Sequence, residues 1–281
     1  MRHDVRSELR GKVPEELLDL VPRSFDVIGS RGKAVAIIEV PSELEPYGTE
    51  LGAAIMRVQG NVASVLSKGT ERMGEYRIRD MKLLAGDSNT EVIHRESNCS
   101  FRVDPAKAYF SPRESTERER VSALVTPGER VLVMFSGVGP FPICIAKRQP
   151  SAYCVAVELN PDAHEYCVQN IALNKVGERV RAILGDVREV CPMLGEAFDR
   201  VLMPLPKGAY KFLDVALPMV KPGGILQFYH WGSRNDPFIE GEEMVKVEAK
   251  AQGRKMISCV SFRVSQYSPS AWKIRVDARL G

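Results

Sequence analysis

The sequence has 281 residues, of which 44% are hydrophobic and 27% are charged, and its formal net charge is +3. These proportions are those of an ordinary soluble globular protein, and the length allows one large domain or two smaller ones. No apolar run approaches the roughly 18 residues of a membrane span. The N-terminal residues also lack the apolar core of a secretory signal. The composition therefore predicts a cytoplasmic protein without a membrane anchor.

The six cysteines and four histidines are scattered along the chain. No pair of cysteines has the C-x-x-C spacing, and no set of cysteines and histidines has the spacing of a metal site. We therefore predict buried free thiols in a reducing compartment, and no bound metal.

The first part of the chain predicts a small α+β domain over 21–108, preceded by a helical lead-in over 1–20. The predicted elements are a strand pair at 27–29 and 34–40, a helix over 44–58, a strand at 62–66 and a second strand pair at 90–94 and 100–103. Asn98 suits the left-handed position in the turn of the second pair. The polar residues 67–80 predict a loop or an exposed ribbon.

A charged segment, FSPRESTER at 110–118, joins this domain to the rest of the chain. Ser115 has the properties of a helix start, because charged residues and an apolar face follow it. Arg113 lies just before that helix. By its residue type alone it is a surface arginine.

The chain then shows a strand, a glycine turn, a helix and a second strand. The first strand (131–135) runs into the turn Ser136-Gly137-Val138-Gly139-Pro140, and the second (155–157) ends at Glu158. Glycines let a ligand approach the backbone, and an acid about 20 residues later binds ribose hydroxyls in doubly wound folds. Alternatively, the glycines only shape a turn and Glu158 caps the helix that begins near Pro161.

The downstream order favours the first interpretation. Further predicted elements are a helix over 162–174, a strand at 180–184 before Gly185-Asp186, a strand at 198–203 before Pro204-Leu205-Pro206, a strand at 225–231, a helix over 241–252, and strands at 257–267 and 272–280. Polar groups thus follow successive strand ends, on the crevice side of an open sheet. This layout is that of a class I S-adenosylmethionine methyltransferase domain, here over 109–281. The predicted cofactor-binding residues are Phe135, Gly137, Val138, Gly139, Glu158, Asp186 and Pro204.

The C-terminal segment is basic. From residue 250 onward it holds seven cations and a single acid, Asp277; the cations are Lys250, Arg254, Lys255, Arg263, Lys273, Arg275 and Arg279. Such a segment could contact phosphate, and a solvated strand face explains it about as well.

Several segments together resemble one known family. They are VPRSFDVIG at 21–29, LSKGTERMGEYRIRDMKLLAGD at 66–87, IHRESNC at 93–99, FRVDPAKAYFSPRESTER at 101–118, MFSGVGPF at 134–141, ELNP at 158–161, LNKV at 173–176, GDVRE at 185–189 and LPKGAYKFLD at 205–214. The chain from about residue 15 resembles the archaeal and eukaryotic tRNA (guanine-37-N1)-methyltransferases. We expect the extra N-terminal domain of that family to be absent, because only 1–20 precede the match.

This resemblance implies methyl transfer from S-adenosylmethionine to N1 of guanine 37, with the tRNA anticodon stem-loop as partner and a monomeric enzyme. It implies that Arg113 stabilises charge on guanine O6 and that Glu158 is the general base. The fold argument instead places Glu158 on the ribose, so both roles stay open. Weaker candidates for phosphate contacts are Lys68, Arg72, Arg77 and the C-terminal cations.

Two positions depart from the family pattern: Val133 replaces an acid, and Pro204 replaces the asparagine of Asn-Leu-Pro. A sister family, the wybutosine-pathway aminocarboxypropyl transferases, shares the fold and the cofactor. Arg113 and the pair Pro140-Phe141 belong to the methylating pattern, so methyl transfer is the leading hypothesis. The alternatives are aminocarboxypropyl transfer and a non-catalytic relative that binds tRNA or a nucleoside.

Overall fold

The computed structural model describes residues 4–69, 80–268 and 270–281. The chain forms two compact units, the first ending at Ser115 and the second beginning at Thr116. None of the helices in the described ranges is both long and apolar enough to cross a membrane.

The first unit has a mixed sheet and two α-helices. Its elements are α1 Val5–Leu9, β1 Asp26–Gly29, β2 Ala34–Ile38, α2 Gly48–Val58, β3 Val62–Lys68, β4 Met81–Gly86, β5 Val92–Glu96 and β6 Cys99–Val103, with 3-10 helices at Glu15–Leu20, Ser42–Tyr47 and Pro112–Glu114. Four of the described strands pair in the order β1-β2-β3-β4, with β2 and β3 parallel, and β5 pairs with β6 in a separate two-stranded sheet. Leu51 and Ile55 of α2 lie in the same core cluster as Ile38 and Val65 of the sheet. The predicted α+β fold of this part is confirmed.

Two details of this unit bear on the sequence analysis. Ser97 and Asn98 have φ angles of 44° and 61°, so the left-handed turn predicted at Asn98 between β5 and β6 is confirmed. Strand β4 was not predicted, because its short sequence is half-exposed and lacks a clear alternation. It packs close to α2, where an added Cβ on Gly52 would lie 2.8 Å from the Cβ of Ala85.

The second unit alternates strands and helices. Its elements are α3 Ser115–Leu124 (which begins one residue before the unit), β7 Arg130–Met134, α4 Pro140–Arg148, β8 Tyr153–Glu158, α5 Pro161–Leu173, β9 Val180–Leu184, α6 Val187–Met193, β10 Phe198–Met203, α7 Leu213–Ala216, β11 Val220–Ser233, α8 Ile239–Ala251, β12 Met256–Ser268 and β13 Ala271–Leu280, with 3-10 helices at Ala209–Phe212 and Leu217–Met219. The predicted alternation is confirmed. The short helix α6 was not predicted; Pro192 interrupts its pattern near the end.

The strands of this unit pair in the order β12-β13-β11-β10-β7-β8-β9 within the described residues. Strands β9, β8, β7, β10 and β11 are parallel, whereas β13 is antiparallel to both of its neighbours. This confirms the predicted class I methyltransferase fold. From β7 the chain first continues to β8 on one side and later to β10 on the other. The ends of β7 and β10 therefore form the switch point at which such sheets bind ligands.

Buried apolar side chains surround the centre of this sheet. Leu132, Val155, Val201 and Phe228 are all at most 1% exposed. This explains why these strands read as continuous apolar runs.

All six cysteines are free, and five of them are buried, as predicted; Cys259 is half-buried. Burial raises the pKa of Cys154, Cys167 and Cys191 to about 12, so these thiols stay protonated at neutral pH. No cluster of His, Cys, Asp or Glu able to hold a metal ion occurs in the described ranges.

Candidate cofactor-binding site

The glycine turn after β7 has a backbone that ordinary residues rarely adopt. Phe135, Gly137 and Gly139 have φ angles of 56°, 56° and 85°. An added Cβ on Gly139 would lie only 2.7 Å from the Sγ of Cys167 in α5, so both the φ angle and the packing require glycine there. Phe135 has no such freedom, and a left-handed aromatic residue costs on the order of 1–3 kcal/mol. The chain thus holds a strained residue at the tip of β7.

Glu158, at the end of β8, is hydrogen-bonded to this turn. Its Oε2 accepts from the N–H of Gly137 at 2.7 Å, and its Oε1 accepts from the N–H of Asn160 at 2.9 Å. Burial raises the pKa of the Glu158 carboxyl, although these backbone donors act in the opposite direction. The alternative that Glu158 caps α5 is wrong, because the N-cap is Asn160, whose side chain accepts from the N–H of Asp162.

A buried asparagine on α5 supports the same turn from the other side. The Nδ2 of Asn170 donates to the backbone oxygen of Val138 at 3.0 Å, and the Nδ2 of Asn174 donates to the backbone oxygen of Asn170 at 2.7 Å. The sequence analysis missed Asn170. A signal existed, because Ala163, Cys167, Asn170 and Asn174 have helical spacing on one buried face. A polar residue on such a face needs a hydrogen-bond partner.

The turn also contains a buried hydroxyl. The Oγ of Ser136 has no hydrogen-bond partner among the described residues, and the residue is only 5% exposed. Backbone N–H groups donate to both carboxylate oxygens of Glu158, and an ionised carboxylate can accept about four hydrogen bonds in all. Unused donors and acceptors on both sides of a glycine turn fit a polar ligand such as a nucleoside.

The ends of β7, β9 and β10 are connected by side chains. Asp186 caps α6 through the N–H of Arg188 at 2.8 Å. The guanidinium of Arg188 pairs with Asp214 and lies 4.9 Å from the ring centroid of Phe212. The ring of Phe212 in turn meets the ring of Phe135 edge-on at 5.0 Å. The structure thus links the predicted residues Phe135 and Asp186 through Arg188 and Phe212, two residues that the sequence did not indicate.

Pro204 follows directly after β10. The N–H of Leu205 donates to the oxygen of Met203 at 2.8 Å, which makes Pro204 the centre of a three-residue turn. Neither Pro204, which lacks an N–H, nor Leu205, whose N–H is used, offers a free backbone donor at this strand end.

Arg113 belongs to the first unit, whereas Glu158 belongs to the second. The Nε of Arg113 lies 2.5 Å from Asp26 Oδ1, and 64% of the arginine side chain is exposed. Lys68, a candidate phosphate contact, pairs with the same aspartate at 3.4 Å. Arg72 and Arg77 lie outside the described residues.

The basic C-terminal segment is largely occupied within the fold. Lys273 and Arg275 are 2% and 1% exposed, so the idea that they contact phosphate is wrong. Arg254 donates to the backbone oxygens of Leu217 and Gly281, and Arg279 to that of Gly223. The cations of this segment that remain exposed without such bonds are Lys250, Lys255 and Arg263.

Arg275 has its partner in a buried carboxylate that the sequence analysis did not single out. Glu117 of α3, which is 3% exposed, accepts hydrogen bonds from Arg275 at 2.6 Å, Tyr229 at 2.8 Å and Arg120 at 3.0 Å. Arg275 also forms two hydrogen bonds with Asp277. Burial raises the pKa of Tyr229 well above its usual value, so it remains a donor. These bonds fix the start of α3 to the sheet.

Two family models match the chain. Residues 92–257 match the TRM5/TYW2 methyltransferase domain, and residues 5–90 match the TYW2 N-terminal domain. Together they cover nearly all of the chain, in agreement with the resemblance read from the sequence.

Among the curated relatives, the chain is 41% identical to Trm5b of Pyrococcus abyssi, a tRNA (guanine(37)-N(1))-methyltransferase, over 95% of this chain and 78% of that protein. It is 32% identical to the tRNA(Phe) (4-demethylwyosine(37)-C(7)) aminocarboxypropyltransferase of Pyrococcus horikoshii, over 98% and 96% of the two chains. It is 35% identical to the tRNA 4-demethylwyosine(37)-methyltransferase Taw21 of Saccharolobus solfataricus, over 92% and 94%. Relatives with different reactions are therefore similar to this chain.

Solved structures give the same result. A complex of aTrm5 with tRNALeu has a TM-score of 0.84 and 32% identity, covering 100% of this chain and 79% of that one. TYW2 of P. horikoshii in complex with MeSAdo has a TM-score of 0.79 and 30% identity, covering 98% and 97%.

Proposed function

Since the chain belongs to the TRM5/TYW2 methyltransferase family, we propose that it is a tRNA methyltransferase that transfers a methyl group from S-adenosylmethionine to N1 of guanine 37. The assignment of a cofactor site is supported by two hydrogen bonds at the switch point of the sheet. In these, the carboxylate of Glu158 accepts from the backbone N–H groups of Gly137 and Asn160. Among the relatives named above, Trm5b has the highest sequence identity to this chain. This identity supports N1 of guanine 37 as the methyl acceptor.

In this proposal, Glu158 accepts hydrogen bonds from the ribose hydroxyls, because it is the acid at the end of the strand beside the glycine turn. The turn formed by Gly137, Val138 and Gly139 lies against the methionine part of the cofactor, and Asp186 lies by the adenine. Phe135 and Pro204 close the site at the tips of β7 and β10. When bound, S-adenosylmethionine supplies an electrophilic methyl group.

The other requirement is activation of the acceptor. Guanine N1 carries a proton, so a carboxylate must remove it while a cation stabilises the charge that grows on O6. We assign the O6 role to Arg113, whose side chain is largely exposed and held by Asp26. For the base we keep Glu158, whose second possible role is to bind the ribose. Glu158 acts as the base if Glu158→Gln, measured at saturating cofactor, still loses methyl-transfer rate.

A second candidate function is aminocarboxypropyl transfer. One observation favours it: residues 5–90 match the TYW2 N-terminal domain. Pro204, in place of the family's asparagine, favours neither reaction. Taw21 adds a third possible reaction, since its name records methylation of 4-demethylwyosine 37.

One experiment separates these functions. Purified protein is incubated with S-adenosylmethionine and with tRNA carrying either unmodified guanine 37 or 4-demethylwyosine, and the nucleosides are analysed by mass spectrometry. We expect 1-methylguanosine from the unmodified tRNA. An aminocarboxypropyl adduct, or methylation of the precursor tRNA alone, would contradict the proposal.

The variant Arg113→Ala tests the assigned O6 contact in the same assay. We expect the methyl-transfer rate constant to fall by roughly 100-fold or more, the usual effect of losing one oxyanion donor, while cofactor affinity stays unchanged. A loss confined to cofactor affinity would remove Arg113 from the acceptor site.

A further inference from the structure

Part of the sheet in the second unit extends beyond the strand tips at the candidate site. Strand β10 ends where Met203 pairs with Phe228 of β11. Beyond that pair, β11 continues to Ser233, which pairs with Ala271 of β13. Five further residues correspond to about 16 Å of strand. We call this extension, residues 229–233 of β11 and 271–275 of β13 with the adjoining part of β12, the wing.

The wing holds an arginine over two aromatic rings. Arg263 of β12 pairs in register with Ile274 of β13. Its guanidinium carbon lies 5.0 Å from the ring centroid of Trp272 and 5.9 Å from that of Phe238. Both rings are half-buried and pack against the core of the unit, whereas Arg263 is exposed. The rings therefore restrict the guanidinium, while the arginine side chain stays exposed.

Arg263 differs from the other arginines that lie over rings. Arg130, Arg188 and Arg275 each form an ion pair with a carboxylate. No carboxylate in the described part of the chain lies within ion-pair distance of Arg263. Its N–H groups thus remain available to an anion from outside.

The acids closest in sequence around this cluster have other partners. Asp236 accepts from the N–H groups of Phe238 and Ile239. Glu240 lies 3.5 Å from the Nε2 of His230, and Glu242 accepts from Ser261 at 2.6 Å. The fold thus fixes a cation at this edge and directs the neighbouring carboxylates elsewhere.

We propose that Arg263, positioned by Trp272 and Phe238, binds a backbone phosphate of the RNA strand next to the target nucleotide. This inference rests on the proposed function, because it takes tRNA as the substrate. The wing extends past the strand ends at which the acceptor base must reach the cofactor. In this proposal the RNA strand that carries the base runs along the wing. A planar guanidinium held in place binds a phosphodiester through paired N–H groups, which a mobile lysine does less well.

The test is binding of full-length tRNA to the full chain at several salt concentrations, for the parent and the variants Arg263→Gln and Arg263→Lys. We expect Arg263→Gln to weaken binding roughly tenfold, the effect of losing one charged hydrogen-bonding contact. The slope of log K against log salt should become shallower by about 0.7 to 0.9, as for one lost phosphate contact. Arg263→Lys should keep the parent slope and lose part of the affinity.

A matched control is Arg148→Gln. Arg148 is an exposed arginine at the C-terminal end of α4, on the side of the sheet where the parallel strands begin, opposite the candidate site. We expect the Arg148→Gln variant to bind tRNA with the parent's affinity and with the parent's slope of log K against log salt. Thermal melting and cofactor affinity of each variant report whether the fold and the cofactor site are intact.

Parent-like tRNA affinity and salt slope in Arg263→Gln would overturn the inference while leaving the proposed function standing. A loss of cofactor affinity in Arg263→Gln would overturn it too, because it would give Arg263 a structural role. If the parent binds cofactor and no tRNA, the proposed function fails, and this inference fails with it.

Discussion

Two buried or half-buried carboxylates of the second unit, Glu158 and Glu117, have opposite surroundings. Glu158 accepts hydrogen bonds from two backbone N–H groups, and no lysine or arginine in the described ranges forms an ion pair with it. Glu117 accepts from one neutral and two charged side chains. One carboxylate is held by the local backbone, and the other is held by distant side chains.

The difference indicates which carboxylate is ready for a ligand. Burial raises the pKa of Glu158 even though its backbone donors lower it, and additional donors such as hydroxyl groups would stabilise its ionised form. Glu117 already has charge-assisted partners, so its main effect is to hold α3 on the sheet. We therefore propose that Glu158, beside the glycine turn, is the carboxylate that receives a ligand and that Glu117 is a structural anchor.

The largest expected effect comes from the turn that holds Glu158. The substitution Gly137→Val puts a β-branched residue at a φ angle of 56° and displaces the N–H that Glu158 accepts from. We expect cofactor affinity, measured by calorimetry, to fall by roughly 100-fold or more.

A control separates this local effect from backbone strain. Gly195 has a similar φ angle of 64°, has open space around it and lies away from the turn. Gly195→Val should therefore lose stability and keep the parent's cofactor affinity. Parent-like binding by Gly137→Val would mean that the assigned site is wrong.

The second effect concerns stability. Glu117→Ala leaves Arg275 buried with Asp277 as its remaining partner, and breaking a buried pair on one side costs about 3 kcal/mol or more of unfolding free energy. Denaturant unfolding measures this loss.

The comparison variant is Glu196→Ala, which breaks the half-exposed pair with Arg130. There we expect about 1 kcal/mol or less. Equal losses in the two variants would contradict the view of Glu117 as an anchor.

The third effect is a pH dependence. Because the pKa of Glu158 is raised, the protein without cofactor protonates it at a higher pH than an ordinary glutamate. The stability that protonated Glu158 contributes to the protein without cofactor is therefore present at low pH, and it is lost as pH rises through the raised pKa. Cofactor affinity depends on pH in the opposite direction, because only the ionised carboxylate of Glu158 accepts hydrogen bonds from two hydroxyl donors.

We therefore expect cofactor affinity to fall with decreasing pH, by up to about tenfold per pH unit below the raised pKa. Glu158→Gln should bind weakly and with a flat profile over the same range. A flat profile in the parent would show that ionised Glu158 is not what the cofactor contacts.

These cases also show what the sequence could reveal. The turn and Glu158 were predictable because Gly137 and Glu158 lie 21 positions apart within one strand-helix-strand unit of known spacing. The bond between Glu117 and Arg275 spans 158 residues, and no local pattern encodes it. For the same reason the sequence did not reveal that Lys273 and Arg275 of the basic C-terminal segment are buried, because a count of cations does not show which of them lie inside the fold.

The smallest effect tests the residue that supports the turn from behind. Asn170→Asp keeps the shape of the side chain and replaces its donor with a carboxylate oxygen facing the backbone oxygen of Val138. At neutral pH these oxygens repel, and we expect cofactor affinity to fall roughly tenfold through displacement of the turn. Protonation of the aspartate restores a donor, so the ratio of variant to parent affinity should rise toward one as pH falls. This direction is opposite to that expected for Glu158, and taking the ratio at each pH removes the parent's own dependence.

The control Asn174→Asp places a carboxylate on the same helix face, against the backbone oxygen of Asn170 instead of the turn. It should lower the melting temperature and leave the ratio constant. A constant ratio for Asn170→Asp as well would show that its bond to Val138 serves only the packing of α5.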